Sequence, residues 1–65
     1  MDEVQGTIYE VVFRNEQNGY TVLELEQDKE LLTLVGYFSF LNIGETIKAY
    51  GKWVQHPDYG NQFKV

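Results

Sequence analysis

Single-stranded nucleic acid is held by aromatic rings that stack on bases and by cationic side chains that meet phosphates. Five residues of this sequence offer that combination: Arg14, Tyr20, Lys52, His56 and Tyr59. They fall in two stretches. Arg14 and Tyr20 flank Asn15-Glu16-Gln17-Asn18-Gly19, while Lys52, His56 and Tyr59 lie within Gly51–Val65, which holds the only tryptophan, histidine and proline of the chain. The competing use of an aromatic ring is to fill a core. Phe13, Phe40, Trp53 and Phe63 are read that way. Tyr20, Tyr37 and Tyr59 divide evenly between core and half-exposed positions, because a phenol often keeps its hydroxyl in water.

Other chemistry finds no footing. There is no Gly-x-Ser-x-Gly elbow and no His-Glu-x-x-His pair. Gly44 to Lys52 is the nearest approach to a phosphate loop, but six residues separate its glycines where four are needed, and Trp53 follows the lysine. His56 stands alone, and with no cysteine a metal would need carboxylates gathered from several strands. An exposed turn histidine is the plainer reading. The acidic residues are scattered, with Glu24 and Glu26 on one strand face, and solvated surface accounts for them. No catalytic, metal or cofactor site is expected in these residues.

Charge limits the nucleic-acid reading as well. Ten acidic residues against five basic ones leave a net charge of −5, whereas affinity for nucleic acid comes largely from a basic surface. Any contact is expected to be weak or local, or to belong to something larger.

A chain of 65 residues is one small domain, able to bury only about 60% of the surface its unfolded form exposes. Without cysteine it has no disulfide to help it. A dense apolar core must serve, and 43% hydrophobic with 15% aromatic residues can build one. No long apolar run and no charged-then-apolar leader is present, so neither a membrane span nor a signal peptide is expected. A cytoplasmic setting is the default expectation.

The elements that would position the five residues are strands. Val4 to Phe13 begins with strict alternation, which Glu10 breaks before Val11, Val12 and Phe13 run together. A β-bulge, or a coil from one sheet face to another, explains the break. Gly6 suits a bent strand where two backbones come close. Asn18-Gly19 can take the positive φ of a hairpin turn. Tyr20 to Gln27 follows, with Thr21, Leu23 and Leu25 facing the core and Tyr20, Val22, Glu24 and Glu26 facing away. A polar turn over Gln27–Glu30 leads to a third strand, Leu31 to Gly36. Tyr37 to Gly44 is apolar without alternation and predicts a loop or single helical turn over one end of the core. Glu45 to His56 is the fourth strand, with Ile47, Ala49, Gly51 and Trp53 on one face and Lys48, Tyr50, Lys52 and Val54 on the other. Pro57-Asp58-Tyr59-Gly60 makes a turn, and Asn61 to Val65 begins a fifth strand. Ending on Phe63-Lys64-Val65 in strand pattern, the sequence reads as a piece of a longer protein.

Five short strands with one non-strand segment between the third and fourth predict an all-β, OB-fold-like Greek-key barrel. A small SH3-like barrel is the alternative.

The residues also resemble a family. Val11-Val12-Phe13-Arg14-Asn15-Glu16-Gln17-Asn18-Gly19-Tyr20-Thr21-Val22-Leu23 is similar to the VxFxNxENGFTVL opening of RecD-like ATP-dependent DNA helicases. Val35-Gly36 and Gly44-Glu45 fit the middle of that N-terminal region. Gly51-Lys52-Trp53-Val54-Gln55-His56-Pro57-Asp58-Tyr59-Gly60-Asn61-Gln62-Phe63 resembles its GxWxxHPxYGxQF close. Gln17 departs from the pattern, standing where acidic residues are usual.

The resemblance implies a bacterial superfamily 1B helicase that moves 5′ to 3′ along single-stranded DNA, of which this segment is the N-terminal OB-like domain. It places ATP, magnesium and most DNA contacts in motor domains outside these residues, and it carries no catalytic residue onto them. Phe13, Asn15, Gly19, Trp53, His56, Pro57, Tyr59, Gly60 and Phe63 match the family mostly as turn and core residues. Three roles follow as expectations. The domain is an accessory module packed against the motor domains with a weak single-stranded DNA contact, a protein-interaction module with an acidic face, or an independent single-strand binder. The charge disfavours the third.

Overall fold

The computed structural model describes all 65 residues. Five strands form: β1 (Asp2–Arg14), β2 (Tyr20–Gln27), β3 (Glu30–Tyr37), β4 (Thr46–His56) and β5 (Gly60–Lys64). They close into a barrel in the order β1-β2-β3-β5-β4. All neighbours run antiparallel except β3 and β5, which are parallel. A closed sheet of five strands in this Greek-key order is the OB arrangement, and the expectation of an OB-fold barrel holds. No helix long and apolar enough to cross a membrane is present.

Strand β1 serves two neighbours. Its first half, Asp2–Thr7, pairs with β4, and its second, Thr7–Arg14, pairs with β2. The broken alternation in the sequence becomes two register shifts against β2, between Ile8 and Glu10 and between Val11 and Phe13. Each leaves one extra residue, Tyr9 and Val12, and each bends the strand further around the barrel. Two glycines lie where backbones nearly touch: a Cβ would come within 2.3 Å of the Glu26 carbonyl oxygen at Gly6 and within 1.9 Å of the Lys64 carbonyl oxygen at Gly51.

The core is one cluster of Val4, Ile8, Leu23, Leu25, Leu34, Ala49 and Phe63. Thr21, Leu23 and Leu25 are fully buried, as the alternation of β2 requires. The segment between β3 and β4 forms no helix and remains a loop with a turn at Ile43–Gly44. It is pinned at two places: the Phe38 amide donates to the Gly19 carbonyl (3.0 Å), and the Gly44 amide donates to the Ile8 carbonyl (2.8 Å). Phe38 and Leu41 pack against the core from this loop, while Phe40 is 89% exposed. Assigning Phe40 to the core is therefore corrected, since its two loop neighbours fill the space.

The turns divide the positive-φ positions differently from expectation. In the β1–β2 connection only Gly19 takes positive φ (81°). Asn15 and Asn18 hold the rest by side-chain bonds, Asn15 Oδ1 accepting from the Gln17 amide and Asn18 Oδ1 from the Tyr20 amide, both at 2.9 Å. The β2–β3 hairpin is tighter. Asp28 (φ 49°) and Lys29 (φ 69°) both lie in the left-handed region, as a two-residue primed turn between Gln27 and Glu30 demands.

Candidate nucleic-acid interface

Residues opposite one another on a ladder point to the same face of the sheet, so the register assigns every candidate to the inside or outside of the barrel. Val11, Leu23, Leu34, Phe63 and Trp53 make one inward row that crosses all five strands. The next row is Phe13, Val22, Val35, Lys64 and Lys52; it lies on the opposite side of the sheet from the core cluster, with Val35 covered at 6% exposure. Lys52 and Lys64 are thus direct partners on the β4–β5 ladder. Both are exposed and line one shallow depression with Met1, Gly51 and Val65.

Two residues beyond Val35 on the same face stands Tyr37, opposite Tyr20. The two rings meet edge to face at 5.5 Å and 68°. Tyr37 is 71% exposed, and Tyr20 is half-buried beneath it. Lys64 is thus the β5 neighbour of Val35, two residues along β3 from Tyr37, and Lys52 follows one strand further round the barrel. Lys52 and Tyr20 were legible as candidates in the sequence, whereas Tyr37 and Lys64 join them only through the register. The parity of Lys64 against the buried Phe63 was the available signal, because it puts the lysine outside.

Arg14 does not reach this face. The Val12 bulge sets it opposite Thr21, on the inward side. Its guanidinium donates to Thr21 Oγ1 and to the Ser39 carbonyl, both at 2.8 Å, and pairs with Glu16. Thr21 Oγ1 donates in turn to the Gly19 carbonyl at 3.0 Å. The expected phosphate contact is instead a clamp joining the first turn, β2 and the β3–β4 loop.

The same bulge corrects the expectation for Phe13. It pairs with Val22 and stands outside, 52% exposed. Trp53 belongs to the inward row but ends it, so its ring lies edge-on to Phe63 at 5.2 Å and remains 43% exposed. Phe63 alone of the four expected core rings is fully buried.

His56 and Tyr59 form a separate pair at the other end of the outer face. His56 is four residues from Lys52 along β4, roughly 13 Å at the usual strand rise. Its Nδ1 accepts from the Asp58 amide at 3.1 Å, and its ring lies 4.8 Å from that of Tyr59. Tyr59 is 76% exposed and borders a groove of about 410 Å³ with Val12, Phe13, Val22, Glu24, Thr33 and Gln62. Glu24 and Glu10 are opposite one another on the β1–β2 ladder beside it.

The outer face is consequently divided by charge. Its β4–β5 side carries Lys52 and Lys64, and its β1–β2 side carries Glu10, Glu24 and Glu26. Of the remaining cations, Lys48 pairs with Glu3 at 3.9 Å, Arg14 is clamped inside, and Lys29 sits in the β2–β3 turn. No three His, Asp or Glu side chains gather into a metal-ligating cluster. The arrangement offers phosphate contact on the β4–β5 side, an aromatic pair at Tyr20 and Tyr37, and an acidic, partly apolar groove reaching the β1–β2 side.

No solved structure matches the chain. Its whole length, residues 1–65, matches the family described as the OB-fold domain of the ATP-dependent DNA helicase YrrC. The barrel order and the sequence match agree, and the chain belongs to that family of helicase OB-fold domains.

Proposed function

We propose that this domain is an accessory module of a helicase that moves 5′ to 3′ on DNA in unwinding, recombination or repair, and that it adds a weak contact to single-stranded DNA. In this reading the domain packs against motor domains that hold ATP and magnesium, in the cytoplasm of a bacterium. Tyr20 and Tyr37 offer bases an aromatic edge and face, and Lys52 and Lys64 meet phosphates. His56 and Tyr59 extend the path only for a strand long enough to pass the groove.

The observation that supports the reading most is the Lys52–Lys64 pairing. Like charges directly opposite on a ladder destabilise a sheet, and an anion bridging them removes that penalty. Two phosphates neutralised on a single strand give a log–log salt slope of about −1.4. Titrating a fluorescent single-stranded oligonucleotide at low and then physiological salt tests this. Binding that weakens with that slope supports the contact. No binding at low salt by a folded domain rejects it.

A further inference from the structure

We infer that the groove across β1, β2, β3 and β5, capped by Tyr59 of the β4–β5 turn, is a docking site for a protein segment that presents an arginine or lysine beside an apolar side chain. This goes beyond the DNA contact, and it uses a surface that Tyr20, Tyr37, Lys52 and Lys64 do not line.

Three features of the groove point to that occupant. Its walls are apolar and exposed: Val12 and Phe13 on β1, at 56% and 52%, with Val22 across the ladder from Phe13 and Tyr59 reaching over from the turn. Rings and aliphatic groups left open together on one concave patch are the usual mark of a partner-binding surface. The volume of about 410 Å³ suits a few side chains, at the lower end of the range for small ligand sites.

The second feature is charge. Glu24 lines the groove and has Glu10 directly opposite on β1, with Glu26 two residues further along the same face of β2. Neither Glu10 nor Glu24 has an ion-pair partner within the domain. A phosphate backbone is repelled here, whereas a guanidinium placed between the two carboxylates is bound by charge-assisted hydrogen bonds. The charge of the site thus selects a cationic protein segment over nucleic acid.

The third feature is how the groove is made. Val12 is the extra residue of the second register shift, and that shift turns Phe13 outward and Arg14 inward. One bulge therefore both supplies the apolar wall and withdraws Arg14 from the side of the sheet that carries Glu24. Bulges recur where a strand must re-aim a side chain at a binding site.

The test uses three capped eight-residue peptides of equal apolar content, carrying two arginines, two glutamines or two glutamates, each titrated into the isotopically labelled domain. The arginine peptide is expected to shift the amide resonances of Val22, Glu24, Thr33 and Gln62. Replacing Glu10 and Glu24 together by glutamine should weaken it about tenfold or more, the worth of a charged hydrogen bond converted to affinity. Because that double variant removes a like-charge pair, it should also melt no lower than the parent. Phe13→Ala should weaken the arginine and glutamine peptides alike. Equal binding of the glutamate peptide, no shift with any peptide at millimolar concentration, or displacement of these same resonances by oligothymidylate would overturn the inference.

Discussion

Lys52 and Lys64 stand directly opposite one another on the outer face of the β4–β5 ladder, in a domain whose net charge is −5. The pairing works against the sheet and for an anion. Lys64→Glu separates the two effects, because it converts a repulsive cross-strand pair into an attractive one. The domain should gain a few tenths to about 1 kcal/mol in denaturant unfolding, while affinity for single-stranded DNA falls and its salt slope flattens. Loss of both stability and binding would mean that the lysine is structural.

Tyr20 and Tyr37 differ in how they serve the same edge-to-face pair. Tyr37 is the more open ring, so Tyr37→Ala should weaken DNA binding by about 1–3 kcal/mol, the usual worth of one base stack, with little change in melting. Tyr20→Ala should weaken binding and lower stability together, since its ring is half-buried. Oligonucleotide titration beside thermal unfolding distinguishes them, and unchanged affinity for Tyr37→Ala removes stacking from the account.

Arg14 predicts the reverse pattern. Its guanidinium ties Thr21 and the Ser39 carbonyl together, and Arg14→Ala should destabilise the domain by about 2 kcal/mol. Arg14→Lys should fail to restore it, because an ammonium cannot reproduce the planar fork. The salt slope of DNA binding at a temperature where the variant is folded should stay as in the parent.

Backbone geometry gives two predictions of opposite sign. Gly51→Ala places a Cβ 1.9 Å from the Lys64 carbonyl oxygen, and β4 cannot retreat without opening the ladder that closes the barrel. A loss of about 3 kcal/mol or more is expected. Lys29→Gly relieves a left-handed residue with φ 69° and should raise stability by about 0.5–1 kcal/mol. Urea titration reads both.

Much of this architecture was legible because β2 and β4 keep strict alternation. Thr21, Leu23 and Leu25 inside, and Lys48, Tyr50, Lys52 and Val54 outside, follow from period two alone. The second half of β1 was not legible to that extent. A break in its pattern signals a bulge, but the first of two bulges inverts the parity and the second restores it, and that restoration puts Phe13 outside and Arg14 inside. The aromatic content suggested a ring-filled core, yet the barrel interior is filled mainly by Val, Ile and Leu, with Phe63 as its one large ring. The Lys52–Lys64 row and the Glu10–Glu24 row depend on which strands become neighbours, which local pattern does not contain. Tyr59 lies in the expected turn, but His56 is the half-buried last residue of β4 rather than an exposed turn histidine, and its distance from Lys52 is a property of the finished sheet.

On the proposed reading the outside of the barrel is split, with DNA on its lysine side and an acidic groove that DNA avoids. Mapping amide shifts of the labelled domain on addition of oligothymidylate at low salt tests it most directly. Shifts are expected at Val35, Tyr37, Lys52 and Lys64, fading with salt, while Glu24, Thr33 and Gln62 stay unmoved. Shifts centred on Glu24 and Gln62, or none anywhere, would contradict it.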